Sequence, residues 1–124
     1  MKRILYLFMA CPVFSAGSAV AACDEVGYIA TFEVATGQEQ AFESAIAKVA
    51  AKVIEVEEGT ILYLPYRGDS GKYYMMERYR NPAAREAHAK DPAVLELFAP
   101  VMATLSAEVA VEPVALVCGE GSAR

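Results

Sequence analysis

The chain has 124 residues, with 11 basic and 16 acidic side chains, a formal net charge of −5 and one histidine. That length bounds it to a single domain. An acidic balance without a basic run gives phosphate backbones no electrostatic hold, which excludes nucleic acid and anionic membrane surfaces as expected partners.

Met1–Ala22 opens with Lys2 and Arg3, runs apolar through ILYLFMACPVF and closes on the small residues SAGSAVAA. A basic start, an apolar centre and a small-residue cleavage site are the pattern of a secretory signal peptide. The apolar run is short for a bilayer and is interrupted by Pro12 and Gly17, which argues against a transmembrane anchor. Residues 1–22 are therefore read as a signal peptide and 23–124 as one secreted or periplasmic domain, with no transmembrane segment in the mature chain. Once Lys2 and Arg3 leave, nine basic residues face 16 acidic ones. Cys11 leaves too, and Cys23 and Cys118 remain, one at each end of the domain. An even pair in an exported chain suggests a disulfide. VAAC, Val20–Cys23, also resembles a bacterial lipobox, and on that alternative the protein is a lipoprotein anchored at Cys23.

VGYIATFEV, Val26–Val34, is rich in β-branched and aromatic residues and reads as a strand. After a turn at Gly37, Phe42, Ile46, Val49 and Val53 form one helical stripe, while Glu39, Glu43, Lys48, Lys52 and Glu55 occupy solvated faces. Gly59 ends the helix. TILYLPYR is the second strand, and Pro65 near its end suits an edge position. GDSG is a hairpin turn and KYYMMERYR the third strand. Asn81 and Pro82 start a helix as N-cap and first helical residue. A second start at DPAVLELFAPVMATL sets Leu95, Phe98, Met102 and Leu105 on one face, with Pro100 expected to kink or split it. EVAVEPVALV is the last strand. The order is βαββαβ, which predicts a ferredoxin-like α+β sandwich: a four-stranded antiparallel sheet with the helices on one face.

Helices can cover only one face of such a sheet. On the third strand Tyr73, Met75, Glu77 and Tyr79 alternate with Tyr74, Met76 and Arg78, so both faces carry apolar groups. Burial of the bare face, including Tyr74 and Met76, predicts a homodimer packed sheet to sheet. In this strand order the first and fourth strands are antiparallel neighbours. Cys23 precedes the first and Cys118 follows the fourth, so both fall at the same edge and a Cys23–Cys118 bridge is favoured over lipidation.

Glu57–Val94 resembles the centre of the antibiotic biosynthesis monooxygenase family. The resemblance is carried by Gly59-Thr60 opening a strand that ends in Tyr66-Arg67, by Glu77-Arg78-Tyr79 closing the next, and by His88 on the following helix. The segment Gly37–Phe42 fits the family's opening. The likeness covers nearly the whole mature domain and implies a dimeric α/β barrel. It also implies oxidation of a small phenolic or quinol compound by dioxygen with no bound cofactor. The family's haem-degrading branch fits poorly, because Val26–Val34 has no asparagine and the chain has no tryptophan.

Such chemistry needs a pocket that removes a proton from an electron-rich substrate and stabilises the anion. His88 is the natural base, because its ordinary pKa lies near neutrality. Glu77 could orient it or take the proton, although a structural ion pair with Arg67, Arg78 or Arg80 is the simpler role for that carboxylate. Tyr79 could stack on the substrate ring or bond its oxygen. Phe32, Tyr63, Met75 and Phe98 are the expected substrate-binding wall, although tyrosines and methionines at such positions more often fill a core. One histidine and two distant cysteines give no metal-ligand spacing, and no nucleophile motif or phosphate-cradling glycine loop is present. The alternative is a non-catalytic small-molecule-binding or stress-related dimeric module of the same fold.

Overall fold

The computed structural model describes residues 24–117; the expected signal peptide over 1–22, Cys23 and Cys118 lie outside them. Seven elements follow in chain order: β1 (Val26–Glu33), α1 (Glu39–Val56), β2 (Thr60–Arg67), β3 (Lys72–Tyr79), α2 (Pro82–Lys90), α3 (Pro92–Met102) and β4 (Ala110–Ala115). The strands form one antiparallel sheet in the order β2-β3-β1-β4. This is the expected ferredoxin-like arrangement, with Pro65 on an edge strand where its missing N–H breaks no ladder bond.

Both helix starts in the second half form. Asn81 Oδ1 accepts from the Ala84 N–H at 2.9 Å, and Asp91 Oδ1 accepts from Ala93 N–H at 2.9 Å and Val94 N–H at 3.3 Å. A proline fills the first position of each helix, where no intrahelical donor is needed. Pro92 also biases Asp91 toward extended backbone. One residue therefore ends α2 and begins α3, and α2 is held as a separate short helix beside β2 and β3.

The α1 stripe is buried as read: Phe42, Ile46, Val49 and Val53 are all at most 2% exposed. It packs on Ala30, Phe32, Tyr63, Tyr73 and Met75 of the covered sheet face, with Phe42 4.6 Å from Tyr73 and 5.4 Å from Phe32, ring to ring. α3 differs from the sequence reading. Val94 and Val101 are its buried residues, with Leu97 and Phe98 partly covered, whereas Leu95 and Met102 are half exposed. The whole helix is apolar apart from Glu96, so the sequence offered two adjacent stripes and packing used the other one. The helix also runs through Pro100 rather than splitting. That proline lies in the last turn, and the single bond it removes would have gone to Glu96, an exposed residue.

The pairing of β2 with β3 slips between Thr60 and Leu62. This bulge takes Ile61 out of alternation and sets Thr60 opposite Tyr79 and Tyr63 opposite Glu77, on the covered face. Leu62, Leu64 and Tyr66 fall opposite Arg78, Met76 and Tyr74 on the other face. There, Leu64, Tyr66, Met76 and Val114 are each roughly 40% exposed, an apolar surface that no element of the chain covers.

Candidate active site

α2 builds one side of the site. Arg85 and His88 are three residues apart and share a helix face, and Ala84 on that side sets how close the helix sits. A Cβ at Gly59 would lie 2.6 Å from the Ala84 Cβ. Glycine is required there for the helix to approach the start of β2, which explains the Gly-Thr sequence physically. That approach brings His88 to Glu57. The His88 Nδ1–H donates to both Glu57 carboxylate oxygens, at 2.9 and 3.0 Å, and Thr60 Oγ1 donates to Oε2 at 2.6 Å. Both members of the pair are nearly buried, with 9% of each side chain exposed.

A carboxylate can only accept, so Nδ1 carries a proton, and in the neutral form of the ring the lone pair is on Nε2. Among the described residues Nε2 has no hydrogen-bond partner. The ring is wedged between Tyr63 and Tyr79, at 5.0 and 5.3 Å between centroids.

Glu77 lies deeper on β3 and is 7% exposed. Its Oε2 accepts from the Tyr79 hydroxyl at 2.7 Å, and Arg85 Nε stands 4.0 Å away. Burial raises the Glu77 carboxyl above the ordinary carboxylate range, only partly offset by the Tyr79 hydrogen bond and the charges of His88 and Arg85. Burial likewise pushes the Tyr63 and Tyr79 hydroxyls well above the usual phenol range, with Glu77 adding to both, so they remain protonated donors. The Arg85 guanidinium lies over the Tyr28 ring at 4.8 Å and beside Tyr79 at 5.8 Å.

Four of these groups border a cavity of about 300 Å³. Tyr63, Glu77, Arg85 and His88 are its polar lining, and Ala30, Phe32, Val94, Leu95, Phe98, Met102, Val109 and Val111 are among its apolar lining. Of the residues read from sequence, the cavity thus brings together His88, Glu77, Phe32, Tyr63 and Phe98. Tyr79 is fully buried behind Glu77 and His88, and Met75 is fully buried in the core; neither lines the cavity. The arginine beside Glu77 is Arg85 rather than the three expected. Arg67 pairs with Glu43, which also accepts from Tyr73 Oη, and Arg78 pairs with Glu25. Glu77 does not orient His88; Glu57 does. Sequence reasoning passed over Glu57 and Arg85. The only signal was local: Glu57 lies three residues before Thr60 across the Gly59 turn, and Arg85 three before His88. Among the described residues no group of three or more His, Cys, Asp or Glu is placed to hold a metal ion, and no helix is long and apolar enough to cross a membrane.

Fold and site together define a ferredoxin-like α+β domain with an acid–base pair at the end of an apolar cavity. The model of the antibiotic biosynthesis monooxygenase family matches residues 26–100, and the chain belongs to that family. A candidate antibiotic biosynthesis monooxygenase from Caulobacter crescentus is similar at 25% identity over 76% of this chain and 91% of its own, with a TM-score of 0.72. A Mycobacterium tuberculosis protein is 26% identical over 77% of this chain and 98% of its own, with a TM-score of 0.69. A cofactor-independent oxygenase from Streptomyces nogalater shares the fold, with a TM-score of 0.66 at 18% identity over 79% of this chain and 98% of its own. No functionally curated protein matches significantly.

Proposed function

We propose that the protein is an exported, cofactor-independent monooxygenase that oxidises a small phenolic or quinol compound with dioxygen, and that it works as a homodimer joined through the open sheet face. The observation that carries this reading is His88. Its Nδ1 is held by a buried carboxylate, and its unpartnered Nε2 belongs to a residue on the wall of an apolar cavity. That is the construction of a general base waiting for a proton.

In the reaction a substrate hydroxyl gives its proton to Nε2, and Glu57 faces the imidazolium that forms. The electron-rich anion then reduces dioxygen. One oxygen atom enters the ring and the other leaves as water, so a hydroquinone plus dioxygen gives a hydroxyquinone plus water, with the substrate supplying all the electrons. The apolar walls suit a flat ring. The second copy would cover Leu64, Tyr66, Met76 and Val114, and membership of this family supports that assembly.

Oxygen consumption by the mature protein with a panel of hydroquinones tests the reading. Wild type should turn over at least one of them. His88→Ala should fold normally and lose ~10²–10⁴ in rate, the usual cost of one general base. Absence of uptake with every quinol by folded wild type would replace this reading with the binding module.

A further inference from the structure

Resting on the reading of His88 as the base, we infer that Thr60 is a positioning residue for it. The Thr60 hydroxyl fixes the Glu57 carboxylate, and the carboxylate fixes the His88 ring with a proton on Nδ1. A β-bulge in the sheet puts that hydroxyl in place.

His88 Nδ1 lies 2.9 Å from Glu57 Oε1 and 3.0 Å from Oε2, so the two oxygens share the ring N–H almost evenly. Even sharing lasts only while the carboxylate keeps both oxygens turned to Nδ1. The last torsion of a glutamate is broad and sets no such angle by itself. Thr60 Oγ1 sets it, donating to Oε2 at 2.6 Å. The Thr60 N–H also donates to the Glu57 carbonyl oxygen at 3.2 Å. Backbone and side chain of one residue thus hold Glu57 from within its own turn. The turn aims the carboxylate, and α2 carries His88 to it.

Simple alternation would send this hydroxyl to the other side of the sheet. Thr60 and Tyr63 are three residues apart, and residues at an odd spacing on a regular strand point to opposite faces. Tyr63 is on the covered face, opposite Glu77. The register shift between Thr60 and Leu62 makes Ile61 an extra residue and brings Thr60 opposite Tyr79, on the same face as Tyr63. A bulge re-aims a side chain in this way and leaves one residue unpaired. Here that residue is Ile61, an isoleucine 39% exposed. The strand exposes an apolar side chain and gains a hydroxyl on the His88 side of the sheet.

The chain has one histidine, so isotopic labelling of histidine nitrogen in the untagged mature protein reports the His88 tautomer by NMR. At alkaline pH wild type should carry the ring proton on Nδ1. Thr60→Val keeps the size and β-branching of the side chain and removes the hydroxyl. It should lower the ratio of Nδ1–H to Nε2–H tautomer by roughly 3- to 10-fold, the worth of one hydrogen bond. Thr60→Ser should restore the wild-type ratio. Should Thr60→Val not fold, Thr60→Ala against Thr60→Ser makes the same comparison. An unchanged ratio in the hydroxyl-free variant overturns the inference, even if its melting temperature falls, because the role is then structural only. An equal fall in Thr60→Ser overturns it too, since the hydroxyl is then not the cause. With a quinol that wild type oxidises, Thr60→Val should lower kcat by a similar factor and leave KM little changed. The tautomer needs no turnover, so wild type without oxygen uptake would sink the oxygenase while the ratio still decides the role of Thr60.

Discussion

Replacing Glu57 by alanine tests whether the site is built around His88. The carboxylate takes the His88 Nδ1–H at 2.9–3.0 Å and the Thr60 hydroxyl at 2.6 Å. Thr60 is only partly buried and can turn to water. His88 is 8% exposed, so its N–H would be left largely unsatisfied. Stranding one such donor costs ~1–3 kcal/mol, and loss of the charged acceptor places the expected destabilisation at about 2–3 kcal/mol. At ~4–8 °C per kcal/mol for a domain of this size, the melting temperature should fall by roughly 10–20 °C. A double-mutant cycle with His88→Ala, followed by thermal unfolding, isolates the pair and should return a coupling of about 1–2 kcal/mol. Glu57→Gln retains an acceptor and should recover much of the stability, while oxygen uptake stays low because no charge faces the imidazolium. A coupling below about 0.5 kcal/mol would show that the two side chains do not act as a unit, and the general-base geometry would go with it.

Three further outcomes are expected. Burial raises the Glu77 carboxyl, so the folded chain holds that proton more tightly than the unfolded chain and loses stability as pH rises from the ordinary glutamate value of ~4.3 toward the raised one; Glu77→Gln should not show this loss, and parallel melting curves for the two proteins across that window would refute the assignment. Met76→Glu, which puts a charge on the open sheet face at a position 42% exposed in the single chain, should convert the proposed dimer to a monomer by light scattering, and a monomeric wild type at micromolar concentration would remove that proposal altogether. We also propose the Cys23–Cys118 bridge, on the antiparallel pairing of β1 with β4 that sets Val26 opposite Ala115. Mass spectrometry of the exported protein should find no free thiol at either position, and a lipid adduct on Cys23 would exclude the bridge. The closed loop would stabilise the fold by about 4–5 kcal/mol on the chain-entropy estimate.

The fold was legible because local signals agreed with one another. The α1 stripe has a single solution, since only Phe42, Ile46, Val49 and Val53 share a face, and those four are the residues buried. Asn81-Pro82 and Asp91-Pro92 each combine a cap with a proline start, and both helices begin there. The site was legible only in part. His88 stood out as the one histidine, and Glu77 and Tyr63 followed from strand alternation. Glu57 is contiguous in sequence with a solvated helix end, and nothing local shows that α2 returns over it. That contact depends on Gly59 meeting Ala84, a tertiary fact. Met75 failed as a cavity residue for a related reason: alternation gives the face of the sheet, but not whether core or cavity lies above it.

α3 shows why the expected apolar stripe and the observed core differ. A helix apolar on nearly every side cannot be satisfied by one neighbour. Val94 and Val101 are buried, with Leu97 and Phe98 partly covered against the core. Leu95, Phe98 and Met102, three of the four residues that periodicity selected, line the cavity instead. Leu95 and Met102 are 54% and 49% exposed there, across from Val111 of β4, which is 50% exposed. Exposure of this size in isolated surface residues needs no explanation, but here it surrounds a cavity that His88 also lines. The apolar surface that looked like surplus core is therefore cavity wall. Periodicity therefore picked residues that do share a side of the helix, but it reports only that the side is apolar and not whether packed side chains or a cavity face it.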